Sequence, residues 1–133
     1  MQRSATKYIL NYPFPRLSYK ERLISLDLMP LEFRRDLNDL LLLFKYRNGF
    51  VDVQFDKYLI LNSSSYNTRN SDSNNYRPLT NHKQNYFTCS FSPICTNLWN
   101  NLPKNFKCCS SISLFKRYLR SHYKEILSSY HPP

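Results

Sequence analysis

One glycine, Gly49, in 133 residues rules out the glycine-rich loops through which a backbone closes around a phosphate, in dinucleotide folds and P-loops alike. Long apolar runs are missing too. The longest, Leu40 to Phe44, lies between Asp39 and Lys45 and falls far short of the roughly 18 residues that span a bilayer. Met1 to Leu10 has no continuous apolar stretch behind a basic start, so no secretory signal is read there. Acids are scarce, nine against nineteen Lys and Arg, and no two Asp are adjacent. Phosphoryl transfer on paired magnesium ions needs carboxylates held close together. Here they are dispersed, and Asp36 and Asp39 sit beside Arg34 and Arg35. No Ser-His-Asp or Cys-His set can be assembled from the scattered members. The expectation is a chain with no catalytic residues and no cofactor.

Cysteine usage gives little to a metal. Cys89 and Cys95 are too far apart for the usual zinc pair, and the adjacent Cys108 and Cys109 constrain a tetrahedral site awkwardly. His82, His122 and His131 have no partner at ligand spacing. Without a signal for export, reduced thiols are the default, so the reading is intracellular, nuclear or cytoplasmic, with free cysteines. An acid-poor start carrying Arg3, Lys7, Arg16 and Lys20 with Ser4 and Thr6 also fits a mitochondrial transit segment.

Positive charge is abundant. The net charge of +10 and the pI near 9.6 point to a polyanionic partner, nucleic acid ahead of a membrane surface. Aromatic residues make up 16%, which suits single strands whose bases stack on rings beside a positive groove. The same charge fits a merely soluble basic protein, and the same rings fit core and rim.

The chain divides into a helical segment (1–61), a Ser/Asn-rich loop or linker (62–85), and a final segment (86–133) of a short strand followed by two helices. The fold class expected is mainly α, with room for a small antiparallel β element and a disordered polar middle. Gln2 to Asn11 reads as a short helix ended by Pro13 and Pro15. Ser18 and Glu21 form a capping box, each side chain meeting the other's orphan backbone donor. Pro30 suits the first turn of a longer helix and Gly49 its left-handed exit. Phe33, Leu37, Leu40 and Phe44 fall at helical spacing, and Leu41 to Leu43 widen the stripe almost around the helix. A helix apolar nearly all round must be buried nearly all round, so this face is expected to await something absent from the chain.

From Asn62 the composition turns small and polar, with too little apolar surface to offset conformational entropy. Tyr76 to Leu79 and Tyr86 to Phe91 suit a strand pairing, and a long linker suits them as well. Ser92-Pro93 reads as a cap and first-turn proline, with Ile94 and Leu98 central to the helical stripe and Trp99 and Leu102 more peripheral. Ser110 or Ser111 opens the longest amphipathic run, apolar at Ile112, Phe115, Leu119 and Ile126. Lys116, Arg120 and Lys124 step along a neighbouring side with Arg117 beside them, a stripe suited to tracking phosphates. A solvated helix face is the commoner origin of such a run. A lone Trp in such a helix usually packs into the core, with base stacking the sharper alternative.

Several pieces also lie in an order of their own. They are Gln2-Arg3-Ser4-Ala5-Thr6-Lys7-Tyr8-Ile9-Leu10, Tyr19-Lys20-Glu21-Arg22-Leu23, Leu28-Met29-Pro30-Leu31-Glu32-Phe33-Arg34-Arg35-Asp36 with Asp39-Leu40 behind it, Tyr66-Asn67-Thr68-Arg69, Ser90-Phe91, Leu98-Trp99-Asn100-Asn101-Leu102-Pro103 and Ser113-Leu114-Phe115-Lys116. Together they resemble the segment that follows the polymerase core in jockey-like non-LTR retrotransposon reverse transcriptases. The resemblance implies a piece of an RNA-directed DNA polymerase without its Tyr-x-Asp-Asp box, not an enzyme on its own. Its partners would be RNA or single-stranded DNA and an upstream polymerase domain. Met1 stands where relatives carry an apolar residue mid-protein, so the expectation is a frame opened at an internal methionine of a longer or decayed element. The nucleic-acid candidates are Lys116, Arg117, Arg120 and Lys124 by spacing, then Arg3, Lys7, Arg34 and Arg35 by resemblance and local charge. Relatives often carry a basic residue before the Leu-Trp-Asn box, where this chain has Ile94-Cys95-Thr96-Asn97. That departure weakens any transfer of nucleic-acid binding to that helix. The remaining readings are an autonomous basic binding module and a translated relic without function.

Overall fold

The computed structural model describes residues 1–10, 17–62, 74–77 and 90–129. Among them the chain is helical: α1 (Gln2–Ile9), α2 (Tyr19–Ser25), α3 (Leu31–Arg47), α4 (Phe91–Asn101), α5 (Lys104–Lys107) and α6 (Ile112–Ser129). The described residues contain no strand. The β element is reduced to one isolated antiparallel bridge between Leu61 and Tyr76. The pairing expected of Tyr86 to Phe91 is not formed as drawn, because Phe91 already opens α4, and 86–89 lie outside the described residues. Among the described residues the final segment carries three helices, α4, α5 and α6, where two were expected. Most of the polar middle, including Tyr66 to Arg69, also lies outside them.

Local chemistry sets the ends. At α2 the capping box is complete: the Ser18 N–H donates to Glu21 Oε2 (2.6 Å), and the Glu21 N–H donates to Ser18 Oγ (3.3 Å). The Ser18 N–H, and after it the Ser18 hydroxyl, holds the Glu21 carboxyl below its ordinary pKa. The helix leaves through a Schellman turn, with the Leu28 N–H on Leu23 O and the Asp27 N–H on Ile24 O. The left-handed position, φ 46°, falls on Asp27 rather than a glycine. At α3 the same motif uses Gly49 at φ 70°, with the Phe50 N–H on Lys45 O and the Gly49 N–H on Tyr46 O.

Two proline assignments shift. Pro30 is the N-cap of α3, not a residue of its first turn. Lacking a side-chain acceptor there, the helix borrows one: Gln2 Oε1 accepts the Leu31 N–H (3.0 Å) and the Tyr19 hydroxyl (2.7 Å), while Gln2 Nε2 donates to Met29 O (3.0 Å). One glutamine thus joins α1, α2 and the start of α3. In α4 the N-cap is Ser90, and Pro93 is the third helical residue, still within the turn where an N–H has no helical partner.

The core is built on α3, which packs against both α4 and α6. Its seventeen residues include no β-branched side chain, and Lys45 and Arg47 complement the negative end of its dipole. Phe33, Leu37, Leu40, Leu43 and Phe44 are all buried, and the Phe44 ring stacks on Phe115 of α6 at 4.2 Å. The side of the stripe formed by these five residues is covered by this chain's own helices, whereas Leu41 and Leu42, which widen it, are half-buried. Burial at this level contributes about 1.5–3 kcal/mol per large apolar side chain. Trp99, peripheral on the stripe by spacing but expected in the core as a lone Trp, is fully buried, while Ile94 and Leu98 are half-buried. The register of α4 turns on Cys95, Trp99 and Leu102 instead. In α6 the buried stripe runs through Phe115, Leu119 and Tyr123, and Ile126 is exposed.

Residues Asn74 to Tyr76, assigned by sequence to the linker, are anchored. Trp99 Nε1 donates to Asn74 O (2.8 Å), Arg47 Nη2 to Asn74 Oδ1 (2.7 Å), and Lys107 Nζ to Asn75 Oδ1 (2.7 Å). The Asn100 amide holds Tyr76 at two points, accepting its N–H (2.9 Å) and donating to its C=O (2.8 Å). A side chain here takes the place of a neighbouring strand.

Candidate nucleic-acid interface

Among the described residues, candidate cations converge on a groove of about 770 Å³ between α2, the start of α3 and α6. Lys116, Arg120 and Lys124 line it from α6, and Arg34 lines it from α3. On α6 they recur every fourth residue, so each stands roughly 6 Å from the next along the helix. All four are exposed. Arg34 Nε donates to Met29 O (3.0 Å), which steadies its stem against the loop before α3. Lys124 Nζ reaches Asp27 Oδ1 at 3.0 Å across the groove. With both side chains largely in solvent, that pair holds little energy and gives way readily to a competing anion. At one end Lys20 Nζ donates to Ser128 O (2.5 Å), tying α2 to the end of α6.

The other four candidates are not brought together there. Arg117 and Arg35 are exposed on α6 and α3 without lining the groove. Arg3 and Lys7 lie on α1, where the Arg3 guanidinium sits over the Tyr19 ring at 5.1 Å. Of eight sequence candidates, the fold gathers half.

Three further cations, unmarked by the sequence reading, turn inward. Arg22 is 8% exposed, its Nε donating to Thr6 Oγ1 (3.3 Å) and its Nη1 to Leu17 O (2.5 Å). Lys107 is 7% exposed and also donates to Asn100 O (3.1 Å). Arg47 lies over the Trp99 ring at 5.7 Å. These carry structural bonds to neutral acceptors, which keeps a buried cation tolerable. For Arg47 and Lys107 the signal was the Asn74-Asn75 pair, whose short side-chain amides each accept from one of them; Arg22 carried no such signal.

The resemblance motifs have structural duties as well. Gln2 caps α3, Thr6 is buried against Arg22, Trp99 fills the core and Asn100 clasps Tyr76. The Leu-Trp-Asn box thus serves the fold, and base stacking on Trp99 is closed off by its complete burial.

Among the described residues no three His, Cys, Asp or Glu side chains are grouped as metal ligands. Cys95 is buried, and desolvation followed by the nearby Asp39 charge pushes its thiol up to about 12. Burial likewise raises the Tyr123 phenol at the edge of the groove. Among those residues no helix is long and apolar enough to cross a membrane. Compared with family models, curated proteins and solved structures, the chain finds no match.

Proposed function

We propose that this chain is a non-catalytic module that holds RNA or single-stranded DNA by charge, of the kind that follows the polymerase core in jockey-like reverse transcriptases. The observation that carries the reading is the convergence of Arg34, Lys116, Arg120 and Lys124 on one groove of a chain with net charge +10. Phosphates meeting such a stripe displace counterions, which gives affinity without base readout. Its role beside a polymerase would be positional, keeping template or primed target near a catalytic site that these residues do not supply.

A second reading, an autonomous basic binding module, is favoured by one observation. The side of the α3 stripe formed by Phe33, Leu37, Leu40, Leu43 and Phe44 is buried by α4 and α6, so the core does not require an upstream domain to close it. Two measurements separate the readings. Anisotropy of a labelled oligouridine at low salt tests binding, and no binding by the intact chain would remove both nucleic-acid readings. Sequencing upstream of Met1 then decides between them. An in-frame Tyr-x-Asp-Asp box supports the polymerase segment, and an immediate stop supports the autonomous module.

A further inference from the structure

A phosphate track needs no apolar floor, yet the groove has one. Ile24 (56% exposed), Leu28, Met29 and Leu127 present aliphatic and thioether surface between the cations of α6 and Arg34. Tyr123, the one aromatic side chain lining it among the described residues, is only 6% exposed, so little ring is offered to a base. Single-strand sites gain much of their affinity from such rings, and this floor withholds them.

We infer that the groove seats an acidic amphipathic helix of a partner protein. Three features select that occupant. Among the described residues the lining carries four cations against one acid, Asp27, which is already paired with Lys124. The cations of α6 recur at positions 116, 120 and 124, and a helix lying alongside repeats with the same rise, so acids at every fourth residue meet them in register. The apolar floor takes the leucine side of the same helix, the helix-in-groove mode of recognition. The inference rests on the floor rather than on nucleic-acid binding. It shares cations with that reading, so the two ligands compete.

The probe is a labelled peptide of about 16 residues, roughly 24 Å long as a helix, with Leu on one face and Glu at every fourth position of the next. Its control is a scramble of identical composition. The expected results are binding of the designed peptide, at least about tenfold weaker binding of the scramble, and displacement by excess oligothymidine. Replacing the floor with Ile24→Asn and Leu127→Asn should weaken the peptide about tenfold and leave oligothymidine affinity unchanged. Lys116→Gln with Arg120→Gln should weaken both. If the floor variant folds poorly, Leu→Asn changes in the peptide test the same apolar packing on the unaltered protein. Equal binding of scramble and design, no peptide binding, or equal loss of oligothymidine in the floor variant would each overturn the inference. The oligothymidine arm, read on the unaltered chain, reports separately on the nucleic-acid reading.

Discussion

Asn100 and Asn101 are chemically identical neighbours at the end of α4, and the structure gives them opposite importance. The Asn100 amide satisfies both backbone groups of Tyr76, a residue only 3% exposed. Asn101 is exposed. Truncating Asn100→Ala leaves a buried N–H and a buried C=O without those partners, at about 1–3 kcal/mol each. Asn100 is itself half-exposed, so water recovers part of this. The better helix propensity of Ala returns roughly 0.5 kcal/mol. The net loss is about 2–3 kcal/mol, which for a chain of this size lowers the melting temperature by roughly 6–15 °C. Asn101→Ala should stay within about 0.5 kcal/mol of the parent. Thermal melts followed by far-UV circular dichroism read both variants directly. If the two melt together, the clasp on Tyr76 does not hold the 74–77 segment.

Four other perturbations have defined outcomes. Gln2→Ala should cost about 1–2 kcal/mol in denaturant melts, because the first N–H of α3 loses its borrowed cap. Asp27→Gly should raise stability by up to about 1 kcal/mol and Asp27→Ala should not, since only glycine relieves the left-handed backbone. The folded pKa of Glu21 is depressed, so its contribution is present above the unfolded value of 4.5 and is lost as pH falls through the folded one. Acid melts should show that loss, and Ser18→Ala should weaken it along with the helix. Thr96 is 1% exposed and its hydroxyl has no partner among the described residues. Thr96→Val should therefore be neutral or stabilising by up to about 1 kcal/mol, and a large loss in the same melts would contradict the packing.

The parts of the fold legible in sequence were those set by local chemistry. Ser18 and Glu21 are three apart and cap within their own turn, and Gly49 marks a left-handed exit that side chains disfavour. The stripe of α3 was visible from its spacing, but its cover was not. Spacing reports that a face is apolar and says nothing of which distant helix, here α4 and α6, will reach it. The same limit explains Trp99. Its neighbours Ile94 and Leu98 suggested one register, whereas the core chose the register that buries the larger ring and gives its N–H the Asn74 carbonyl. Asn74 to Tyr76 lacked any periodicity because side chains of α3, α4 and α5 and a single bridge to Leu61, not a ladder, hold them. At the candidate site, the stripe on α6 was readable since its members share one helix. Arg34 joined it for a tertiary reason, and Arg3, Lys7, Arg35 and Arg117 did not.

Binding of a single strand along the α6 stripe is tested by the salt dependence of oligouridine affinity, comparing the parent with the Gln variant at Lys116, Arg117, Arg120 and Lys124. Every phosphate that no longer meets a cation should flatten the slope of log affinity against log salt by about 0.7 for a single strand. Lys116, Arg120 and Lys124 face the groove, so the flattening should approach roughly 2, with weaker binding at every salt concentration. An unchanged slope and affinity in the variant would return these cations to an ordinary solvated helix face and contradict the proposed function.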